Sequence, residues 1–240
     1  MTQDELRRRL ELYHDLGIRT LYRRAIPERI EAIEVAEPRT LPPVLPLEPD
    51  GDTLAKISED LGECTRCRLH EQRKRIVFGS GSEKARLAFV GEGPGADEDE
   101  QGLPFVGRAG QLLTQMIDGT ARKEGIPIQR RDVYICNVVK CRPPENRTPQ
   151  PDEMETCGEF LFRQLQAIRP HAICALGSTA AKALLGTKDG VTRLRGKWHK
   201  WRDIPVMVTY HPSYLLRPYN QNAKREAWED LKKVLHYVYD

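Results

Sequence analysis

Residues 86–110 read RLAFVGEGPGADEDEQGLPFVGRAG. The run from Arg86 to Val90 has the composition of a short buried strand, and the glycine-rich segment after it suits an active-site loop. Glycines at alternate positions (Gly91, Gly93, Gly95) together with Pro94 let the backbone turn tightly and approach a ligand with no side chain between. Four acids come next, Asp97, Glu98, Asp99 and Glu100. They repel phosphate, and no Gly-Lys-Ser/Thr accompanies them, so the loop is not a nucleotide cradle.

Outward from this stretch, strands and helices alternate. Apolar runs predict strands at 86–90, 133–139, 171–176 and 204–210. Helical spacing predicts helices at 108–123, 152–168, 178–185 and 224–238, with a further helix restarting near Thr53 and running through Leu54, Ile57 and Leu61. Near-continuous apolar strands between amphipathic helices imply a three-layer α/β/α sandwich around a central, mainly parallel four-stranded sheet. In such sheets ligands gather beyond the carboxyl ends of the strands. Here those ends carry GEGPG, then Asn137 and Lys140-Cys141-Arg142-Pro143-Pro144, then Gly177-Ser178-Thr179, then His211-Pro212-Ser213-Tyr214-Leu215-Leu216-Arg217.

The first fifty residues differ in character. Residues 1 to about 24 have helical spacing with many charges, and residues 36–51 hold Pro38, Pro42, Pro43, Pro46 and Pro49. A segment so rich in proline reads as a linker. The expected division is an appended N-terminal extension, residues 1–52, and one α/β domain, residues 53–240; a partner for the extension is left open. The start, MTQDELRRRLEL, lacks the apolar core of a signal peptide, and no run of eighteen apolar residues occurs, so the expectation is a soluble, cytoplasmic protein with no membrane partner. Monomer is the default.

A net charge of +3 is too small to imply a polyanion partner. Its distribution is uneven, with Lys188, Arg193, Arg195, Lys197, Lys200 and Arg202 close together beside Trp198 and Trp201, a composition that suits either a solvated loop or a nucleic-acid contact. The six cysteines are core thiols or metal ligands, since a reducing compartment does not maintain structural disulfides. Cys64 and Cys67 have C-x2-C spacing. Cys141 and Cys157 lie downstream with fifteen residues between them. Four cysteines suit zinc or an iron–sulfur cluster, and spacing does not choose. Cys136 and Cys174 fall inside apolar strands and read as core thiols.

CTRCRL (Cys64–Leu69), GEGPGADEDEQGLPFVGRAGQLL (Gly91–Leu113), VYICNVVKCRPPENRTPQPDE (Val133–Glu153) and HPSYLLR (His211–Arg217) occur in that order. From about residue 53 to the end, the chain resembles the iron–sulfur uracil-DNA glycosylases of family 4 in the uracil-DNA glycosylase superfamily. The resemblance implies a [4Fe-4S] cluster held by Cys64, Cys67, Cys141 and Cys157. It also implies a DNA repair enzyme that removes uracil, leaves an abasic site and works inside the cell at the nucleoid.

An enzyme of this kind must take its base out of the stack and hold it by stacking and edge hydrogen bonds. The resemblance puts Gly93, Phe105 and Asn137 on the base. Phe105 is the expected stacking platform, and Asn137 can donate to uracil O4 and accept from N3–H, a pattern cytosine does not offer. His211 is expected to stabilise the charge that builds on uracil O2. Superfamily relatives carry an aspartate where Gly93 stands here; Glu98 is therefore expected to activate water, with Glu92 as a helper. Leu215 is the expected wedge into the duplex and Arg217 its phosphate contact. Competing readings are a sensor that binds uracil-DNA without turnover or traps it covalently, and a zinc-stabilised structural protein. CRPPENRTPQ holds no histidine, which counts against trapping, and a zinc protein would leave Phe105, Asn137 and His211 unexplained.

Overall fold

A computed structural model describes residues 51–240. The helical spacing in residues 1–24 and nearly all of the proline-rich linker lie outside the described residues. Thr53 opens the first described helix, α1 (Leu54–Leu61), by accepting the Lys56 N–H on its hydroxyl. Strand β1 (Ser80–Gly81) follows, then β2 (Leu87–Gly91), α2 (Ala96–Gln101) and α3 (Arg108–Lys123). After these come β3 (Tyr134–Asn137), α4 (Pro151–Ile168), β4 (Ala172–Leu176), α5 (Ser178–Leu185) and α6 (Val191–Leu194). The chain finishes with β5 (Trp198–Trp201), β6 (Ile204–Thr209), α7 (Pro212–Leu215) and α8 (Gln221–Tyr239).

The sheet has six strands in the order β1-β3-β2-β4-β6-β5. Its four central strands are the expected ones, and all their pairings are parallel, Ala88 beside Tyr134 and Ile173, and Ile173 beside Val206. The expected four-strand count is corrected by two antiparallel edges, β1 on β3 and β5 on β6. Neither edge carries a long apolar run. β1 has two residues, and β5 (WHKW) buries only Trp201.

Alternation along the strands builds the three layers. In β2, Leu87 and Phe89 pack with Leu113 and Ile117 of α3 and Leu231 and Leu235 of α8, while Ala88 and Val90 pack with Ile57 of α1 and Leu161 and Leu165 of α4. Both faces are covered, which explains why the strands are apolar throughout. No described helix is long and apolar enough to cross a membrane. Parallel β2, β3, β4 and β6 bring residues 92–95, 137–143, 177–179 and 210–217 to one edge of the sheet.

Candidate active site and cysteine corner

Beyond that edge lies a cavity of about 340 Å³ whose lining includes Glu92, Gly93, Glu98, Phe105, Asn137 and His211. Every residue expected on the base or in the chemistry is therefore brought to one place.

Asn137 ends β3 with only 1 % of its surface exposed, and its Oδ1 has no hydrogen-bond partner. A buried polar atom left unpaired costs about 1–3 kcal/mol, so this one points to a ligand that completes it. Gly91 makes its placement possible: a Cβ there would come within 2.4 Å of Asn137 Oδ1 and 2.5 Å of the Phe105 ring. Phe105 has φ 54, the left-handed region that a bulky residue occupies only under constraint. Its ring sits 5.6 Å from the His211 ring at an interplanar angle of 38°.

Glu98 supplies part of that constraint. Its Oε1 accepts the N–H groups of Val106 and Gly107, each at 2.9 Å, and its Oε2 accepts that of Gly95 at 3.0 Å. Three backbone donors thus pin the carboxylate expected to activate water, one on Oε2 and two on Oε1. Glu92 is differently held. The Thr179 hydroxyl, from the start of α5, donates to its Oε2, and Glu92 lines the cavity.

At the mouth of α7, the Ser213 N–H donates to His211 Nδ1 at 3.2 Å, with Ser213 Oγ 2.7 Å from the same nitrogen. Burial pushes the imidazole down to about 4, against the opposing pull of the Glu98 charge. His211 is thus neutral at neutral pH. With Nδ1 accepting, its proton resides on Nε2.

The DNA-contact residues are placed less as expected. Leu215 is 1 % exposed and packs with Ala223 and Ala227 of α8, so it is a core residue and not a wedge. Leu216, the next residue, is only half-buried. Arg217 is exposed, with Nη1 3.3 Å from Tyr219 Oη. Sequence reasoning put Thr179 and Ser213 at the ligand edge without giving them roles, and it missed Arg130. The Gly-Ser-Thr run and HPS marked the first two segments, but nothing distinguished Arg130 from Arg131.

Cys136 and Cys174 are buried in β3 and β4. Cys67, Cys141 and Cys157 lie near enough to influence one another's charge, and Cys64 influences both Cys67 and Cys141. None of the four is in a disulfide. Arg73 Nη1 donates to Cys141 Sγ at 3.3 Å and to the Cys64 carbonyl at 2.5 Å, and the Lys140 N–H donates to Cys157 Sγ at 3.2 Å. Donors aimed at sulfur are what a thiolate ligand needs. Among the described residues no group of three or more His, Cys, Asp or Glu side chains is gathered tightly enough for a single metal ion.

Residues 78–232 match the family model described as the uracil DNA glycosylase superfamily. The chain is 47 % identical over 184 residues to a type-4 uracil-DNA glycosylase of Thermotoga maritima, which covers 76 % of this chain and 93 % of the relative. It belongs to the type-4 family of uracil-DNA glycosylases. A type-4 relative from Archaeoglobus fulgidus is 42 % identical over 191 residues, covering 76 % of this chain and 92 % of the relative. A type-5 uracil-DNA glycosylase of Pyrobaculum aerophilum is more distant, 33 % identical over 168 residues, with 65 % and 71 % covered. The superfamily match begins after Cys64 and Cys67, so half of the cysteine corner of this type-4 chain lies ahead of it.

Proposed function

We infer that this protein excises uracil from DNA by hydrolysing the bond between C1′ and N1, leaving an abasic site for repair. The observation that carries the reading is the unpaired Oδ1 of buried Asn137 in the same cavity as the Phe105 ring and His211. A uracil extruded from the stack would lie against Phe105, a contact of about 1–3 kcal/mol. Its N3–H would donate to Asn137 Oδ1, and its O4 would accept from the amide nitrogen. Cytosine offers the opposite pattern at both atoms.

As the glycosidic bond breaks, the electron pair goes to the base and negative charge spreads to O2. His211 is proposed to donate its Nε2–H there; a neutral donor held by Ser213 needs no reorganisation in the transition state. Glu92 is proposed to orient the attacking water and take its proton as oxygen bonds to C1′, because Glu98 is committed to backbone donors. Glu98 instead holds Phe105 in place. Leu216 replaces Leu215 as the proposed wedge, with Arg217 on a phosphate.

Cys64, Cys67, Cys141 and Cys157 are proposed to hold a [4Fe-4S] cluster, a reading supported by four thiols outside any disulfide, by donors directed at sulfur and by the type-4 family. Once bound, the cluster would supply a cross-link between the segment around residue 64, the loop at Cys141 and helix α4, and hydrolysis asks no electron transfer of it.

Incubating the protein with an end-labelled, uracil-containing oligonucleotide, then heating in alkali and running a denaturing gel, tests the reading. Breakage at uracil only after alkali is expected. An intact strand that stays bound to protein would replace catalysis with sensing, and a shifted band surviving denaturant would mean covalent trapping.

A further inference from the structure

Arg130 opens the short turn Arg130–Asp132 that leads into β3, and it is half-buried while its neighbour Arg131 is exposed. Its Nη2 donates to the Pro104 carbonyl at 2.7 Å. Nη1 donates to Thr114 Oγ1 at 2.8 Å and to the Gly110 carbonyl at 3.3 Å, and the backbone N–H is fixed by Asp118 Oδ1 at 2.7 Å. The Thr114 hydroxyl itself donates to the Gly110 carbonyl at 3.0 Å, closing the group.

The two carbonyls so bridged bracket Phe105. Pro104 precedes it, and Gly110 lies so close beneath it that a Cβ at Gly110 would meet the Phe105 carbonyl carbon at 1.9 Å. On the other side of Phe105, the Glu98 carboxylate takes the N–H groups of Val106 and Gly107. The left-handed backbone of Phe105 is thus gripped by a cation before the ring and an anion after it. A bulky residue does not stay in that region unaided. The turn that makes the grip continues directly into the strand ending at Asn137, so ring and amide are held at one spacing.

We propose that Arg130 is a positioning residue for uracil stacking, setting the Phe105 ring against the base whose edge Asn137 reads. The proposal rests on the glycosylase reading above. It makes Arg130 matter for the bound base and not for the DNA backbone. Lysine is a poor substitute, since a single ammonium cannot reproduce the planar fork that spans both carbonyls.

The test compares wild type, Arg130→Ala and Arg130→Lys as full-length proteins. Three quantities are measured: the saturating single-turnover rate on a uracil duplex, inhibition by free uracil, and affinity for a uracil-free duplex. In Arg130→Ala the rate and the strength of uracil inhibition should each fall about tenfold, one stacking contact's share, with duplex affinity unchanged within about twofold. Arg130→Lys should recover less than half of the loss on a logarithmic scale. A purely structural role would lower only the folded fraction, leaving inhibition of the folded protein by free uracil at wild-type strength, and that result overturns the proposal. If Arg130→Ala does not fold, wild-type inhibition in Arg130→Lys overturns it equally. A wild type that releases no uracil overturns the glycosylase reading as well, whereas an active wild type with an unaffected variant removes Arg130 alone.

Discussion

The base pocket and the cysteine corner meet within a few residues of the chain, at Asn137 and Cys141, yet they are built in opposite ways. The pocket is assembled by packing and backbone hydrogen bonds. Gly91 admits the ring and the amide, Glu98 and Arg130 hold the loop, and Ser213 sets the histidine tautomer. The corner gathers thiols whose ionisation burial opposes, with Cys67 and Cys141 pushed up and Cys157 reaching about 12. Thiolates there are favourable only with a cation to bind. Lys140 joins the regions: fully buried, it donates from Nζ to the Asn137 carbonyl at 2.8 Å and to Gln164 Oε1 at 2.6 Å, while its N–H meets Cys157. A preformed pocket thus stands beside a corner proposed to take a cofactor.

The largest expected effect would come from breaking the pocket alone. Asn137→Asp removes the amide donor and sets a carboxylate against uracil O4, so single-turnover excision should fall by roughly 10²–10³, the magnitude of an unpaired buried charge or lost hydrogen bond. If the contrast between the regions is sound, the iron content of that variant stays at the wild-type level; iron loss would show that the two sites form one cooperative unit.

Breaking the corner should act on stability. Extracting iron with a chelator should lower the thermal midpoint by about 10 °C, as loss of a few kcal/mol does in a domain of this size. An unchanged midpoint in calorimetry would reduce the corner to an ornament of the fold.

Within the pocket, the two carboxylates sharpen the comparison further. Glu92→Gln should slow excision about 100-fold at unchanged DNA affinity, as loss of a general base does. Glu98→Gln should slow it about tenfold and weaken inhibition by free uracil, because it loosens the ring. Equal, purely rate-directed losses would return water activation to Glu98.

A further effect concerns pH. The His211 imidazole sits at about 4 in the folded chain, below its unfolded value of about 6.5, so the unfolded state takes up the proton first. Stability contributed by neutral His211 is present above pH 6.5 and is lost as pH falls from there through 4. Relative to His211→Asn, wild type should therefore lose about 2 kcal/mol over that window in denaturant titrations, allowing for partial exposure. A constant difference between the two would contradict an imidazole held neutral by the fold.

Legibility in the sequence followed the range of the forces involved. Runs such as Leu87–Val90 and Ala172–Leu176 announce buried strands by composition, and Asn137 and His211 stand out by following strand ends. The edges β1 and β5 carry little apolar signal, because their outer sides face no second layer. Leu215 and Leu216 are alike in sequence, but one residue of helical turn rotates a side chain by about 100°, and only contact with Ala223 and Ala227 shows which one is core.

The sequence by itself determined the alternating architecture, the strand edge where ligands gather, the four cysteines set apart from the two core thiols, and the family. Those features arise from local periodicity, turn chemistry and motif spacing. Tertiary structure alone decided that Glu98 is an anchor while Glu92 is held by Thr179, that His211 carries its proton on Nε2, and that Arg130 rather than Arg131 grips the Phe105 loop. Each of these is a choice between chemically equivalent groups, settled by which backbone N–H, carbonyl or hydroxyl from a distant segment lies within about 3 Å, the reach of a hydrogen bond.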